Sequence, residues 1–180
     1  MSAHSGTGRD AGLSLVELIV VVMVSALFLG VLATVFGTSL ASQQQSADRD
    51  AATGRLNAVR ASVTSSVRHS DALLVRSSGT RLDARVLGED GSAWECRAWQ
   101  LQGGELRYSA GGAARGALDA SWAVLSERVS GTLDGGGIFA GEPSGRQITL
   151  GIRVVQGDTA VTAEDRANAQ VVQSGGPACW

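Results

Sequence analysis

The chain has 180 residues and a formal net charge of −2, from 15 basic and 17 acidic side chains. That length admits one domain, or one domain with an appended segment, and the near-neutral balance argues against a nucleic-acid footprint at the level of totals. All 15 basic residues are Arg, which excludes lysine-dependent chemistry such as Schiff bases or a Walker phosphate loop.

Residues 1–12 are a polar leader of Ser, Gly, Thr and one Arg, with no pattern able to fold. From Leu13 to Phe36 there are 24 residues, and Glu17 is the only ionisable one. At a rise of ~1.5 Å per residue such a helix reaches ~36 Å, enough to cross a hydrocarbon core of ~30 Å. The run is too long for a strand, so residues 13–36 read as a transmembrane helix. A charge inside such a helix is unfavourable by ~2.5–3.5 kcal/mol on insertion scales. Leu or Val would serve an ordinary anchor, so Glu17 points to a role beyond anchoring.

The first dense polar cluster follows at Gln43, Gln44, Gln45, Asp48, Arg49 and Asp50. The helical period persists through it. Ala52, Leu56, Val59, Val63 and Val67 form one apolar stripe, with Arg55, Arg60 and Arg68 off it. The spacing predicts one helix from about Ser14 to about His69, its residues 37–69 being an amphipathic continuation of the apolar half. Gly37 and Gly54 are places where it could bend.

After Ser70 the period falls to 2, and residues 70–180 read as a β-rich globular domain. Ala72 to Arg76 is a strand and Ser78-Gly79 a turn. Leu82, Ala84 and Val86 alternate with Arg81, Asp83 and Arg85 as a half-buried strand. Glu89-Asp90-Gly91 is the next turn, and Ala93 to Gln102 the next strand. Gly103-Gly104 closes a hairpin into Glu105 to Ala110. These four strands form a meander. Trp122 to Val129 fits a short helix as well as a loop, and Gly135-Gly136-Gly137 reads as a flexible loop. The clearest strand carries Ile148, Leu150, Ile152 and Val154 on one face.

The segment Gly12-Leu13-Ser14-Leu15-Val16-Glu17 resembles the N-terminal signature of type IV prepilins and the pseudopilins of type II secretion. That signature runs Gly, an aromatic or other apolar residue, Thr, Leu, a β-branched residue and Glu, and it opens a long apolar helix. Leu13 stands for the usual aromatic and Ser14 for Thr, and the resemblance covers about the first 25 to 30 residues. It implies cleavage between Gly12 and Leu13 by a prepilin peptidase, N-methylation of the new Leu13 amine, and assembly with other pilin subunits into a filament. The fold it implies is α+β and pilin-like, a long N-terminal helix packed on an antiparallel meander. The localisation it implies is a single-pass protein of the cytoplasmic membrane before assembly. After assembly the protein would stand at the cell surface, with its C-terminal domain outside the cytoplasm. A minor subunit is the closer match, because the apolar segment lacks the Pro common in major pilins; the only prolines are Pro143 and Pro177.

The resemblance also implies a register-setting role for Glu17, pairing with the Leu13 amine of a neighbouring subunit. Opposite charges attract strongly in a low dielectric, although desolvation offsets much of the gain. The simpler alternative is a Glu17 that snorkels to the interface of a plain signal anchor. A secretory signal peptide is a further alternative, with small residues at Val31-Leu32-Ala33 and Ser39-Leu40-Ala41 suited to release of a domain starting at Thr34 or Ser42.

Cys96 and Cys179 both fall outside the membrane on this topology, and an even count in an oxidising compartment favours a disulfide. The alternative is a Cys96 packed beside Trp94 and a free Cys179 on a loose tail. Trp94 and Trp99 are five apart, so one belongs to the core and the other is an exposed contact or lies partly under the Trp122 loop. His69 reads as a cation near a helix C-terminus. Glu89-Asp90 and Glu164-Asp165 lack the ligand spacing of a calcium loop and read as solvated turn residues. Arg76, Arg81 and Arg85 are the one local cluster on which a nucleic acid could act. No catalytic, metal or cofactor motif is present, and the expectation is a non-enzymatic subunit without a cofactor.

Overall fold

A computed structural model describes residues 14–88, 91, 93–172 and 175–180. Gly12, Leu13, Glu89 and Asp90, all singled out above, lie outside the described residues.

The chain forms two compact units, Met1–Gln44 and Gln45–Trp180. Helix α1, Leu15–Arg68, runs through both, close to the bounds read from the sequence and unbroken at Gly37 and Gly54. In the second unit the apolar stripe is the buried face: Ala52, Leu56, Val59, Val63 and Val67 are each 3% exposed or less. Burying a Val or Leu stabilises by about 1.5–3 kcal/mol, so this stripe holds the second half of α1 to the sheets. The helix ends where its last carbonyls find partners outside it. Ser70 Oγ donates to the Val67 carbonyl at 2.6 Å, and the Gln170 amide donates to the Arg68 carbonyl at 3.1 Å.

Five strands follow as an antiparallel meander in the order β1-β2-β3-β4-β5. They are β1 (Ser70–Arg76), β2 (Arg81–Leu87), β3 (Trp94–Gln102), β4 (Glu105–Gly111) and β5 (Ala123–Glu127). The second sheet holds β6 (Val129–Gly131), β7 (Phe139–Gly141), β8 (Gln147–Gln156) and β9 (Thr159–Asn168). β8 is its spine: β6 and β7 pair with successive parts of one edge, and β9 pairs with the whole of the other. The Ile148, Leu150, Ile152 and Val154 face of β8 joins Leu56, Val59, Val63 and Val67 of α1 and Leu82, Trp99 and Leu106 of the first sheet in one core. This is the α+β, pilin-like arrangement of a long N-terminal helix on an antiparallel meander.

Two readings are corrected, and one strand is added. The Trp122–Val129 segment is neither helix nor loop: it is β5 followed by the start of β6, with Arg128 at φ +54 turning the chain between them. A register shift between Leu106 and Arg107 breaks the regular alternation there, which hides the strand. The Gly135-Gly136-Gly137 run is an ordered turn, with Gly136 N donating to Leu133 O at 3.0 Å and Leu133 N to Gly137 O at 3.1 Å. It packs against the turn Ser77–Gly79, where Gly79 sits at φ +83 and a Cβ would lie 2.5 Å from the Phe139 carbonyl oxygen. Only glycine fits that contact. Finally, β9 is a full strand that the residue pattern does not announce.

Candidate functional site

The N-terminal unit is built around an apolar surface with no cover. Apart from Val124, Val172 and Trp180, every exposed large hydrophobic side chain among the described residues lies between Leu15 and Leu40. The helix is long and apolar enough to cross a membrane. A contiguous apolar surface of this extent requires lipid or another apolar partner. Its hydroxyls fit that environment: Thr34 Oγ1 donates to the Val31 carbonyl at 2.8 Å and Thr38 Oγ1 to the Val35 carbonyl at 3.0 Å.

The first helical hydrogen bond runs from Leu18 N to Ser14 O at 3.1 Å, which places Ser14 at the N-cap and Glu17 three residues in, within the first turn. Free N–H groups and the helix dipole favour an anion there, by about 0.3–1 kcal/mol at an exposed site. Glu17 is exposed. The Ser14 and Glu17 spacing is that of a capping box, a signal in the sequence that the membrane reading passed over. The N–H groups and dipole of the helix terminus give the carboxylate a local reason to occupy this turn alongside any intermolecular one. Its expected counterpart, the Leu13 amine, lies outside the described residues.

In the globular unit Cys96 and Cys179 form a disulfide, with Cα atoms 5.3 Å apart. Both are buried. The bond fixes the C-terminal tail across β2 and β3. Gly176 lies so close to the Trp94 ring that a Cβ there would be 2.6 Å from Cδ2, and Arg85 lies over the same ring at 5.6 Å. Arg85 also makes a two-pronged pair with Asp71, at 2.8 and 2.5 Å. The Asp71 hydrogen bonds raise the Arg85 guanidinium further above its ordinary value. Trp94 is therefore covered by the tail, not by the Trp122 loop. Trp99 is fully buried, with its Nε1–H directed to Ser62 Oγ at 3.3 Å and its ring 5.2 Å from Tyr108. Burial raises the Tyr108 phenol above its usual range.

The three arginines of the local cluster are all paired. Asp83 accepts from Arg76 at 2.6 Å and from Arg81 at 2.9 Å, and Arg85 is held by Asp71. Arg81 further donates to the carbonyls of Arg115 and Gly116 and stacks 5.3 Å from Trp122, strapping the loop between β4 and β5 over the sheet. Such a network presents no free basic stripe. Glu164 and Asp165 lie within β9, not in a turn. Asp165 is engaged by Arg60 at 2.9 Å and by the Arg166 amide at 2.9 Å. His69 is exposed, with Nδ1 2.9 Å from the Ser65 carbonyl oxygen. Among the described residues no three His, Cys, Asp or Glu side chains group as metal ligands.

No family model, no curated protein and no solved structure matches this chain.

Proposed function

We propose that this chain is a minor pilin or pseudopilin. In this reading it is a non-enzymatic subunit cut after Gly12 by a prepilin peptidase, methylated at Leu13, and drawn from the cytoplasmic membrane into a filament of similar subunits. The observation that carries this reading is the lone carboxylate of Glu17 in the first turn of a helix whose N-terminal segment is apolar and largely exposed. Cleavage after Gly12 creates a cation, the Leu13 amine, close to that carboxylate in sequence. A subunit held in lipid can then exchange lipid contacts for contacts with the apolar helices of its neighbours, and a charge pair between subunits fixes the axial register. Register setting is the best-attested use of a buried polar pair. The packed, disulfide-tied domain beyond residue 44 suits the extracytoplasmic side of such an assembly.

The test is Glu17→Ala in the native cell. Processing is expected to survive, while incorporation into filaments, measured by shearing and immunoblotting, falls at least tenfold. Normal incorporation would show that Glu17 sets no register and acts only as a helix-terminal anion.

A second reading is favoured by one observation, that the whole core is built from Ala52 onward. The apolar segment would then be a signal sequence or plain anchor for a surface domain that binds a partner and never polymerises. It differs from the first in the residue at which the mature chain begins.

A further inference from the structure

Strand β9 has a neighbour on one side only. It pairs with β8 along its whole length without a register shift, and with no other strand. On β8, the Gly151 and Val155 amides bond the Ile138 and Arg128 carbonyls, away from β9. The even-numbered residues of β8 therefore bond β9, and their partners are the odd-numbered Val161, Ala163, Asp165 and Ala167. The amides and carbonyls of Ala160, Thr162, Glu164 and Arg166 point the other way. Among the described residues none of them makes a backbone hydrogen bond.

Such a row is a template for a further strand, and proteins commonly shorten, bulge or cover it. The other edges here are treated so. β6 and β7 have three residues each, and β5 has five with a register shift. β1 also has a register shift, and its Leu73 amide bonds the Gly145 carbonyl. β9 has ten residues and neither Pro nor Gly. On its open edge the Arg166 amide takes the Asp165 carboxylate as acceptor at 2.9 Å, where a strand carbonyl would otherwise sit. Val161 and Ala163, which turn toward the core, are only partly buried, so a further strand would find apolar surface to cover.

We propose that the β9 edge receives an extended segment of a partner protein as an added antiparallel strand. In this mode backbone groups supply affinity and alternate side chains supply selection. Glu164 and Arg166 are exposed and form no ion pair among the described residues. They call for a basic residue opposite Glu164 and an acidic one opposite Arg166. On the other face Val161 and Ala163 call for apolar residues. A second copy of this chain is disfavoured by direction. β9 and α1 run the same way, since Arg60 meets Asp165 and the Arg68 carbonyl meets the Gln170 amide. Two copies paired antiparallel through β9 would carry their helices in opposite directions, which chains anchored side by side in one membrane cannot do. This choice of occupant rests on the membrane reading of residues 15–40, whereas the open edge does not.

The experiment uses the full chain in detergent micelles and a fluorescein-labelled peptide, Thr-Val-Glu-Thr-Arg-Val-Thr-Val. In antiparallel register its Arg lies opposite Glu164 and its Glu opposite Arg166. A control peptide exchanges the Glu and the Arg. The matched peptide is expected to bind saturably by anisotropy and to slow amide exchange at Thr162, Glu164 and Arg166. The control is expected to bind at least fivefold more weakly, and a chain carrying Glu164→Arg with Arg166→Glu to prefer the control. Thr162→Pro removes an outward amide without touching the β8 pairing, and is expected to weaken binding at least tenfold. The charge reversal keeps the proposal testable if the Pro variant fails to fold. No saturable binding, equal binding of the two peptides, or slowed exchange confined to another edge would each overturn the proposal. A chain that self-associates on sedimentation and is dissociated by the matched peptide would assign the edge to a second copy and overturn the partner protein as occupant. None of these outcomes depends on cleavage after Gly12, so they stand or fall apart from the filament reading.

Discussion

Asp83 is almost wholly buried and accepts hydrogen bonds from both Arg76 and Arg81, of which Arg81 is itself buried. Removing the acid strands the Arg81 charge in the interior, so Asp83→Ala is expected to lower stability by about 3–5 kcal/mol. Arg76, more than a third exposed, is worth at most about 1 kcal/mol to the same carboxylate. Urea titration of the detergent-solubilised chain measures both, and equal effects would refute the asymmetry. Asp119 provides the pH-dependent case. Hydrogen bonds from the Ser121 hydroxyl and amide, at 2.5 and 2.8 Å, hold its carboxyl below the ordinary aspartate value. A depressed folded value means that the contribution is present above the ordinary aspartate value and is lost as pH falls through the lowered one. Ser121→Ala is expected to move the Asp119 midpoint upward in a carbon-13 carboxyl titration; an unmoved midpoint would mean that the hydroxyl bond does not form in solution. At this scale Glu17 was plain in the sequence because it is alone among apolar residues. The hydrogen bonds that Arg55 and Arg128 both donate to the Gln156 side chain were not, because the partners lie 101 and 28 residues apart and meet only when β8 closes against α1.

Helix α1 and strand β8 were legible because each repeats one period without interruption. The stripe from Ala52 to Val67 and the face from Ile148 to Val154 are the two longest such patterns, and they meet in one core. β5 was illegible for a physical reason: a register shift in its pairing with β4 spoils the alternation, and a left-handed Arg128 truncates it. β9 was missed differently. It is an edge strand whose outward residues, among them Thr162, Glu164 and Arg166, are polar, and whose inward side is partly covered. Its signal was the two-residue Gly157-Asp158 turn between Gln156 and Thr159. The tail was legible only through its cysteine. Because the Cys96–Cys179 bond spans a sequence separation of 83, the loop-entropy relation gives about 4–5 kcal/mol as an upper figure. Replacing both cysteines by Ala is expected to lower the unfolding free energy by up to that amount and to loosen the tail from Trp94, read as a change in tryptophan emission. Unchanged stability would show that Arg85 and Trp94 hold the tail unaided.

For the whole molecule, the division at Gln44 and Gln45 separates two kinds of physics. Beyond it, a core of helix and two sheets buries its apolar residues and balances nearly all of its buried charges. Before it, a helix exposes its apolar residues on every side and carries one carboxylate at its start. Neither the length nor the hydrophobicity of that helix distinguishes an anchor, a signal sequence and an assembly segment, since all three need an apolar run. The distinction lies in one peptide bond, because the proposed register pair needs an amine that exists only after cleavage between Gly12 and Leu13. Intact-mass and N-terminal fragment analysis of the mature protein from its native membrane therefore tests the central claim most directly. The expected product begins at Leu13 and carries one methyl group on its amine. A mature chain beginning at Met1, Thr34 or Ser42 would contradict it.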